Sequence, residues 1–276
     1  MEFEEFKSLY TTACELRDEF APQMGPWFRK DASQWPPVIG FGLPLDGQKV
    51  EMVTVALNPS NLEIEDGHIP ETNNVNTQWK KQRDYFKSRN RTKWFDRSEM
   101  VLTAAEVGTY HADGHVHLDL SPQPTSGGFD GIYDNQADRA ERQVARQFIM
   151  QSLAGIFFPI LGALVRDNQT RTILTYGFLP RVEGQLPMGS RTMKETIGRV
   201  ENLFQVIESE SIELPSSSNR IFIARGKFNP NHQWINQHPE LQKLRVVFLS
   251  QGPSSRRASD DDLRFVGRRL RELGWL

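Results

Sequence analysis

The chain has 276 residues, with 33 Lys and Arg against 35 Asp and Glu, so its net charge is -2. That balance neither selects nor excludes a polyanionic partner, and charge has to be read segment by segment. One cysteine, Cys14, excludes an intramolecular disulfide and leaves no set of thiolates for zinc, so a reducing, cytoplasmic setting is expected.

Phe3, Phe6, Leu9, Tyr10, Ala13 and Leu16 recur at helical spacing and predict a helix over residues 2–20, ended by Ala21-Pro22. Its start is acidic and amphipathic, where an export signal would be basic and then apolar, so no export is expected. Residues 27–47, rich in Pro and Gly, read as loop. Residues 50–57 are too apolar on both faces for a surface strand and predict a central one. A polar loop follows over 58–76. Residues 79–97 then combine eight Lys or Arg with two acids and five aromatics. Residues 98–107 read as a short helix capped by Ser98, and residues 115–120, which alternate His, Val, His, Leu, Asp and Leu, as a second strand.

After a loop over 121–134, helical periodicity returns across 135–158. Residues 148–165 are apolar enough to suggest a membrane span, but Gln151, Ser152, Gly155 and Pro159 interrupt the run. A core helix broken near Pro159, and no membrane partner, are predicted instead. Further strands are expected at 171–176, 219–224 and 244–250, with a helix over 191–208 between the first two. Ser259-Asp260-Asp261-Asp262 supplies a cap and negative charge to a closing helix that Gly274 stops. Strands interleaved with helices of crossover length imply one α/β domain over 1–276 with a mainly parallel sheet, and a monomer is expected.

In such a sheet, ligands bind outside the carboxyl ends of the strands. Three strands here run into polar, proline-punctuated loops: Leu57-Asn58-Pro59-Ser60, His117-Leu118-Asp119-Leu120-Ser121-Pro122, and Ser250-Gln251-Gly252-Pro253-Ser254-Ser255-Arg256. These motifs resemble those of the uracil-DNA glycosylase superfamily. The first is similar to that of the mismatch-specific and single-strand-selective branches, the second to the strand end that reads the base, and the third to the loop that enters the minor groove. They cover about a tenth of the chain, so their order and their placement after strands carry the resemblance.

The resemblance implies a three-layer α/β/α fold, no cofactor, single- or double-stranded DNA as partner, and base excision that leaves an abasic site. Asn58 would orient the attacking water, while Pro59 fixes the turn and Ser60 contacts a phosphate. Asp119 would read the base edge, with His117 and Ser121 beside it and Phe129 or Tyr133 stacking on the base. Lys80, Lys81, Arg83, Gly252, Pro253, Ser254, Ser255 and Arg256 are the candidate DNA contacts, and the aromatics of residues 79–97 are available to wedge or stack.

This chain departs from the family pattern at two positions. Gly252 stands where a His or Asn usually stabilises the departing base, and Asp119 stands where an Asn usually reads uracil. An ionised Asp only accepts hydrogen bonds, so it opposes uracil O4 and suits the N4 amine of cytosine. A second contact, to cytosine N3, needs one shared proton, which a protonated Asp119 would supply. A modified cytosine is therefore the expected base, and a hypermodified viral base, removed in antiviral defence, fits the need to spare host cytosine.

Two other readings compete. His115, His117 and Asp119 share one strand face, as ligands do in metal-dependent hydrolases, with His111 and Asp113 upstream and His232 and His238 as further ligands. A catalytically idle nucleic-acid-binding module of the same fold is the third. No nucleophile elbow, P-loop or dinucleotide fingerprint is present.

Overall fold

A computed structural model describes residues 1–23, 35–88, 91–111, 114–125, 139–181, 188–189, 193–194, 196–217, 219–255 and 258–276. Helix α1 (Phe3–Phe20) buries Phe6, Leu9, Tyr10, Ala13 and Leu16, the stripe its spacing predicts. Strand β1 (Met52–Ala56) follows, then helices α2 (Leu62–Glu65), α3 (Val75–Arg83) and α4 (Lys93–Ala104), strand β2 (His115–Asp119), and helices α5 (Arg139–Ser152) and α6 (Phe158–Asp167). Strands β3 (Thr172–Tyr176), β4 (Phe178–Leu179), β5 (Met188–Gly189), β6 (Phe204–Glu213) and β7 (Arg220–Phe228) precede helix α7 (Gln233–Gln237), strand β8 (Arg245–Leu249) and helix α8 (Asp260–Glu272).

Six of the strands form one sheet in the order β2-β1-β3-β8-β7-β6. The first four are parallel, while β7 and β6 add an antiparallel edge, so the sheet is mixed rather than wholly parallel. Register brings the parallel strands to a common end: Ala56 lies opposite Asp119, and Tyr176 opposite Leu249. The polar loops after β1, β2 and β8 therefore open at one edge of the sheet. Although β2 is the edge strand, all five of its residues are buried. Phe41 bridges to His117 from outside, exchanging hydrogen bonds of 2.8 and 3.0 Å, and this covers the exposed ladder.

Several local expectations change. Helix α4 begins at Lys93, and Ser98 is a buried interior residue instead of a cap, because its hydroxyl is spent on Tyr110 and Tyr176. The helix expected over 191–208 gives way to a short 3-10 turn at Ile197–Arg199 and then β6. Asn202, at φ 58°, turns the chain between them, and Phe204 and Val206 alternate with polar residues as a hairpin strand requires. Nor does the apolar helix break at Pro159. A π-helical stretch, Leu153–Phe157, accommodates the missing donor, so the helix runs from Arg139 to Asp167. Its length and composition would allow a span, yet 72% of its most apolar window is buried within the fold, as in a core helix.

Helix α8 starts as its sequence predicts. Ser259 Oγ accepts from Asp262 N–H at 3.2 Å, Asp262 accepts from Ser259 N–H at 2.8 Å, and Gly274 ends the helix at φ 65°. It packs on α4 closely enough that a Cβ on Gly267 would fall 2.3 Å from the Val101 carbonyl oxygen.

Candidate active site

At the common carboxyl end of β1, β2, β3 and β8 lies a cavity of about 640 Å³. Its walls bring together Asn58, Pro59 and Ser60, His117 and Asp119, and Gly252, Ser254 and Ser255. The three separated motifs thus meet in one place.

The Asn58 wall is built by continued pairing past the strands. Leu120 N–H donates to the Ala56 carbonyl at 3.0 Å, Ser121 N–H to Leu57 at 2.9 Å, and Asn61 N–H to Thr125 at 3.2 Å. Asn58 Nδ2 donates to the Pro59 carbonyl and to Thr125 Oγ1, each at 2.8 Å. Both amide hydrogens are thereby engaged, which leaves the Oδ1 acceptor without a partner among the described residues.

Asp119 is buried, and its Oδ1 makes no hydrogen bond. The nearest cationic candidate is His117 Nε2, 3.4 Å away. On its other nitrogen, His117 Nδ1 is bonded to Thr54 Oγ1 at 2.9 Å, and Thr54 to the Tyr110 hydroxyl at 2.8 Å. Ser98 Oγ completes the chain, 2.8 Å from Tyr110 and donating to Tyr176 at 2.9 Å. Tyr176 itself lines the cavity, so a buried hydrogen-bonded chain joins two of its walls. Burial pushes the Tyr110 and Tyr176 hydroxyls upward, which keeps both neutral. The His117 ring is held by Thr54 and by Trp94, whose ring centre is 4.6 Å from it.

The third wall is a turn in which Ser255 N–H donates to the Gly252 carbonyl at 3.0 Å. Arg97 secures it, donating to the carbonyls of Ser255 and Ala258 while pairing with Asp260 at 3.2 Å. At Gly252 there is room: an added Cβ would meet only Ser254 Oγ, at 3.9 Å.

Sequence reasoning missed several lining residues. Glu63 is 2% exposed and sits in what reads as a solvated acidic run, Leu-Glu-Ile-Glu-Asp. Its oxygens accept from the Tyr85 hydroxyl at 2.5 Å and from Thr92 Oγ1 at 3.0 Å. Burial, reinforced by Asp119 and Asp66, outweighs those two bonds and pushes its carboxyl up to about 7. Trp94, Phe95 and Phe41 supply an aromatic wall. The only signal for Glu63 was its closeness to Asn58 in sequence; for Trp94 and Phe95 it was the aromatic content of residues 79–97.

Other expected residues lie at the margin of the cavity or away from it. Ser121 is fully buried, outside the lining, and accepts from Gln123 N–H at 3.4 Å. Ser60 Oγ accepts from Leu62 N–H at 3.2 Å at the cavity rim. Pro253 is buried within its turn. Lys80 and Lys81 are exposed on α3. Arg83 pairs with Asp84 at 3.0 Å, lies 5.4 Å from the Trp79 ring centre, and borders a cleft with Gly114 and His115 at the opposite, amino end of β2. Phe129, Tyr133, Asp113 and Arg256 lie outside the described residues.

The metal-site geometry does not assemble. At about 3.3 Å of rise per residue, His115 stands roughly 13 Å from Asp119, too far to share an ion. Among the described residues no three His, Cys, Asp or Glu side chains are grouped as ligands. His232 instead caps α7, accepting from Trp234 N–H at 3.2 Å, and His238 faces Glu240 at 3.7 Å.

Comparison of the chain with protein-family models, with curated proteins and with solved structures gives no match in any of the three.

Proposed function

We propose that this protein is a DNA glycosylase that hydrolyses the N-glycosidic bond of a flipped-out, modified or damaged pyrimidine, with a cytosine derivative as the favoured base. The observation that carries this reading is the convergence of Asn58, Asp119 and the Gly252–Ser255 turn on one cavity at the carboxyl ends of parallel strands. Its volume of about 640 Å³ is that of a small-molecule site and has room for a nucleoside with a substituent on the base.

The free Oδ1 of Asn58 is a fixed acceptor for the attacking water, with no reorganisation needed because the amide hydrogens are already held. Asp119 keeps a buried oxygen without a hydrogen bond at the cavity wall, and an amine such as cytosine N4 satisfies it while a carbonyl oxygen does not. Trp94 offers a ring face for stacking. With Gly252 supplying no side chain, the idle binding module of the same fold is the outcome if DNA binds and no base leaves.

The test is to incubate the protein with single- and double-stranded oligonucleotides carrying uracil, cytosine, 5-methylcytosine, 5-hydroxymethylcytosine or glucosylated hydroxymethylcytosine, and to measure alkali-labile abasic sites. Release from a cytosine derivative is expected. Asn58→Ala should lower it by about 100-fold, and Asp119→Asn should move preference toward uracil. Abasic sites in none of these DNAs would overturn the reading.

A further inference from the structure

Glu63 is a second acid in the cavity, and the proposed chemistry so far gives it no task. Packing does not require a carboxyl there, since the amide of a glutamine would fill the same space and accept a bond from Tyr85 or Thr92. Yet the side chain is buried, borders the cavity, and has no Lys or Arg bonded to it among the described residues. The titratable groups that face it are Tyr85 from the 3-10 turn Tyr85–Lys87, Asp119 from the end of β2, and Asp66 at the end of α2, none of them cationic. Each carboxyl oxygen accepts one hydrogen bond and keeps a second lone pair, so either can face a ligand.

Resting on the glycosylase reading, we propose that Glu63 is the catalytic proton shuttle of this cavity, giving a proton to the departing base and taking one back from the attacking water. As the bond from the sugar C1′ to the base nitrogen breaks, its electron pair stays with the base, and the Glu63 carboxyl proton moves to a ring heteroatom of that base. The water oxygen then bonds C1′, and the proton it releases restores the Glu63 acid. Protons and charge balance with no further reactant. The shuttle does the work that Gly252 cannot, because a protonated leaving base needs no side chain to stabilise its anion. A carboxyl held near 7 by burial is matched to that exchange at neutral pH.

The experiment uses the full chain and the oligonucleotide from which it releases base fastest, with kcat and KM followed from pH 5 to 9. The wild type is expected to lose kcat as pH rises through about 7. Glu63→Gln should lower kcat at least about 100-fold with KM within about threefold, and should abolish that pH dependence. Tyr85→Phe withdraws a hydrogen bond from the ionised form, so it should move the pH limb upward. Glu63→Gln with wild-type kcat and pH profile overturns the shuttle, as does a limb that Tyr85→Phe leaves in place. If Glu63→Gln does not fold, the Tyr85→Phe limb decides. A wild type that releases no base from any DNA overturns the glycosylase reading itself, a different result from release that survives the loss of Glu63.

Discussion

A carboxyl as deeply buried as that of Glu63 makes the folded state sensitive to pH, whatever the substrate. Its folded value near 7 lies above the ordinary 4.5, so between those limits the native chain holds a proton that the unfolded chain has released. Stability from this group is therefore full below about pH 4.5 and falls as pH rises to 7, by at most about 3 kcal/mol. Glu63→Gln should flatten that slope, so the variant gains on the wild type at pH 7 and gains little at pH 4. Urea denaturation at the two pH values measures it, and equal gains at both would contradict burial as the cause. Asp119 differs in kind. Its hydrogen-bonding deficit is one oxygen without a hydrogen bond, 3.4 Å from His117 Nε2, on a residue that lines the cavity, while His117 is locked through Thr54, Tyr110 and Ser98. A rigid support behind an unsatisfied group suits recognition, because a ligand that satisfies it pays no further ordering of the wall.

Among the elements, those whose pattern follows local chemistry were readable. Strands β1, β2 and β8 end in polar loops, β3 is a short β-branched run, and α8 carries its capping box and terminal glycine in plain order. The elements misread were those settled by their pairing or packing partners rather than by their own pattern. Strand β6 exists because it pairs with β7 along its length, and α4 extends back to Lys93 because Phe95 packs against Phe41 and Phe86. The site divides the same way. Asn58, Asp119 and Gly252 stand at strand ends and could be found from the sequence, whereas Glu63 looks like one more surface acid until Tyr85 and Thr92 are brought to it. The α4–α8 contact belongs to the second group too, since nothing local marks Gly267 as the residue that lets two backbones approach. Gly267→Ala would place a Cβ 2.3 Å from the Val101 carbonyl and 2.9 Å from Ala104 Cβ. It should cost about 1–3 kcal/mol in chemical denaturation, despite the better helix propensity of alanine. A gain in stability would show that the helices separate freely. Any such separation also bears on the cavity, because Arg97 of α4 holds the turn that carries Gly252.

For the molecule as a whole, the proposed function requires a chain of net charge -2 to hold a polyanion against a cavity that contains Glu63 and Asp119 and, among the described residues, no Lys or Arg. On that proposal attraction has to come from the rim, and the described arginines of residues 79–97 contribute little of it. Arg91 is paired with Asp96 and Glu99, and Arg97 with Asp260 and two carbonyls. Lys93 is different: it is exposed, and it lies between Thr92 and Trp94, which both line the cavity. Arg83 lies at the other end of the sheet. On that proposal, and from the described residues alone, few phosphates are neutralised, and the dependence of duplex affinity on salt should be shallow, with a log–log slope of about -3 or less steep. Lys93→Ala should reduce that slope by about one, the value for a single phosphate contact, while Arg83→Ala leaves it unchanged. Fluorescence anisotropy of a labelled duplex carrying a non-cleavable abasic analogue, titrated between 50 and about 200 mM salt, gives both numbers. A steep slope that Arg83→Ala lowers and Lys93→Ala does not would place the DNA at the amino end of the sheet, away from the cavity, and would separate nucleic-acid binding from the chemistry assigned to Asn58 and Asp119.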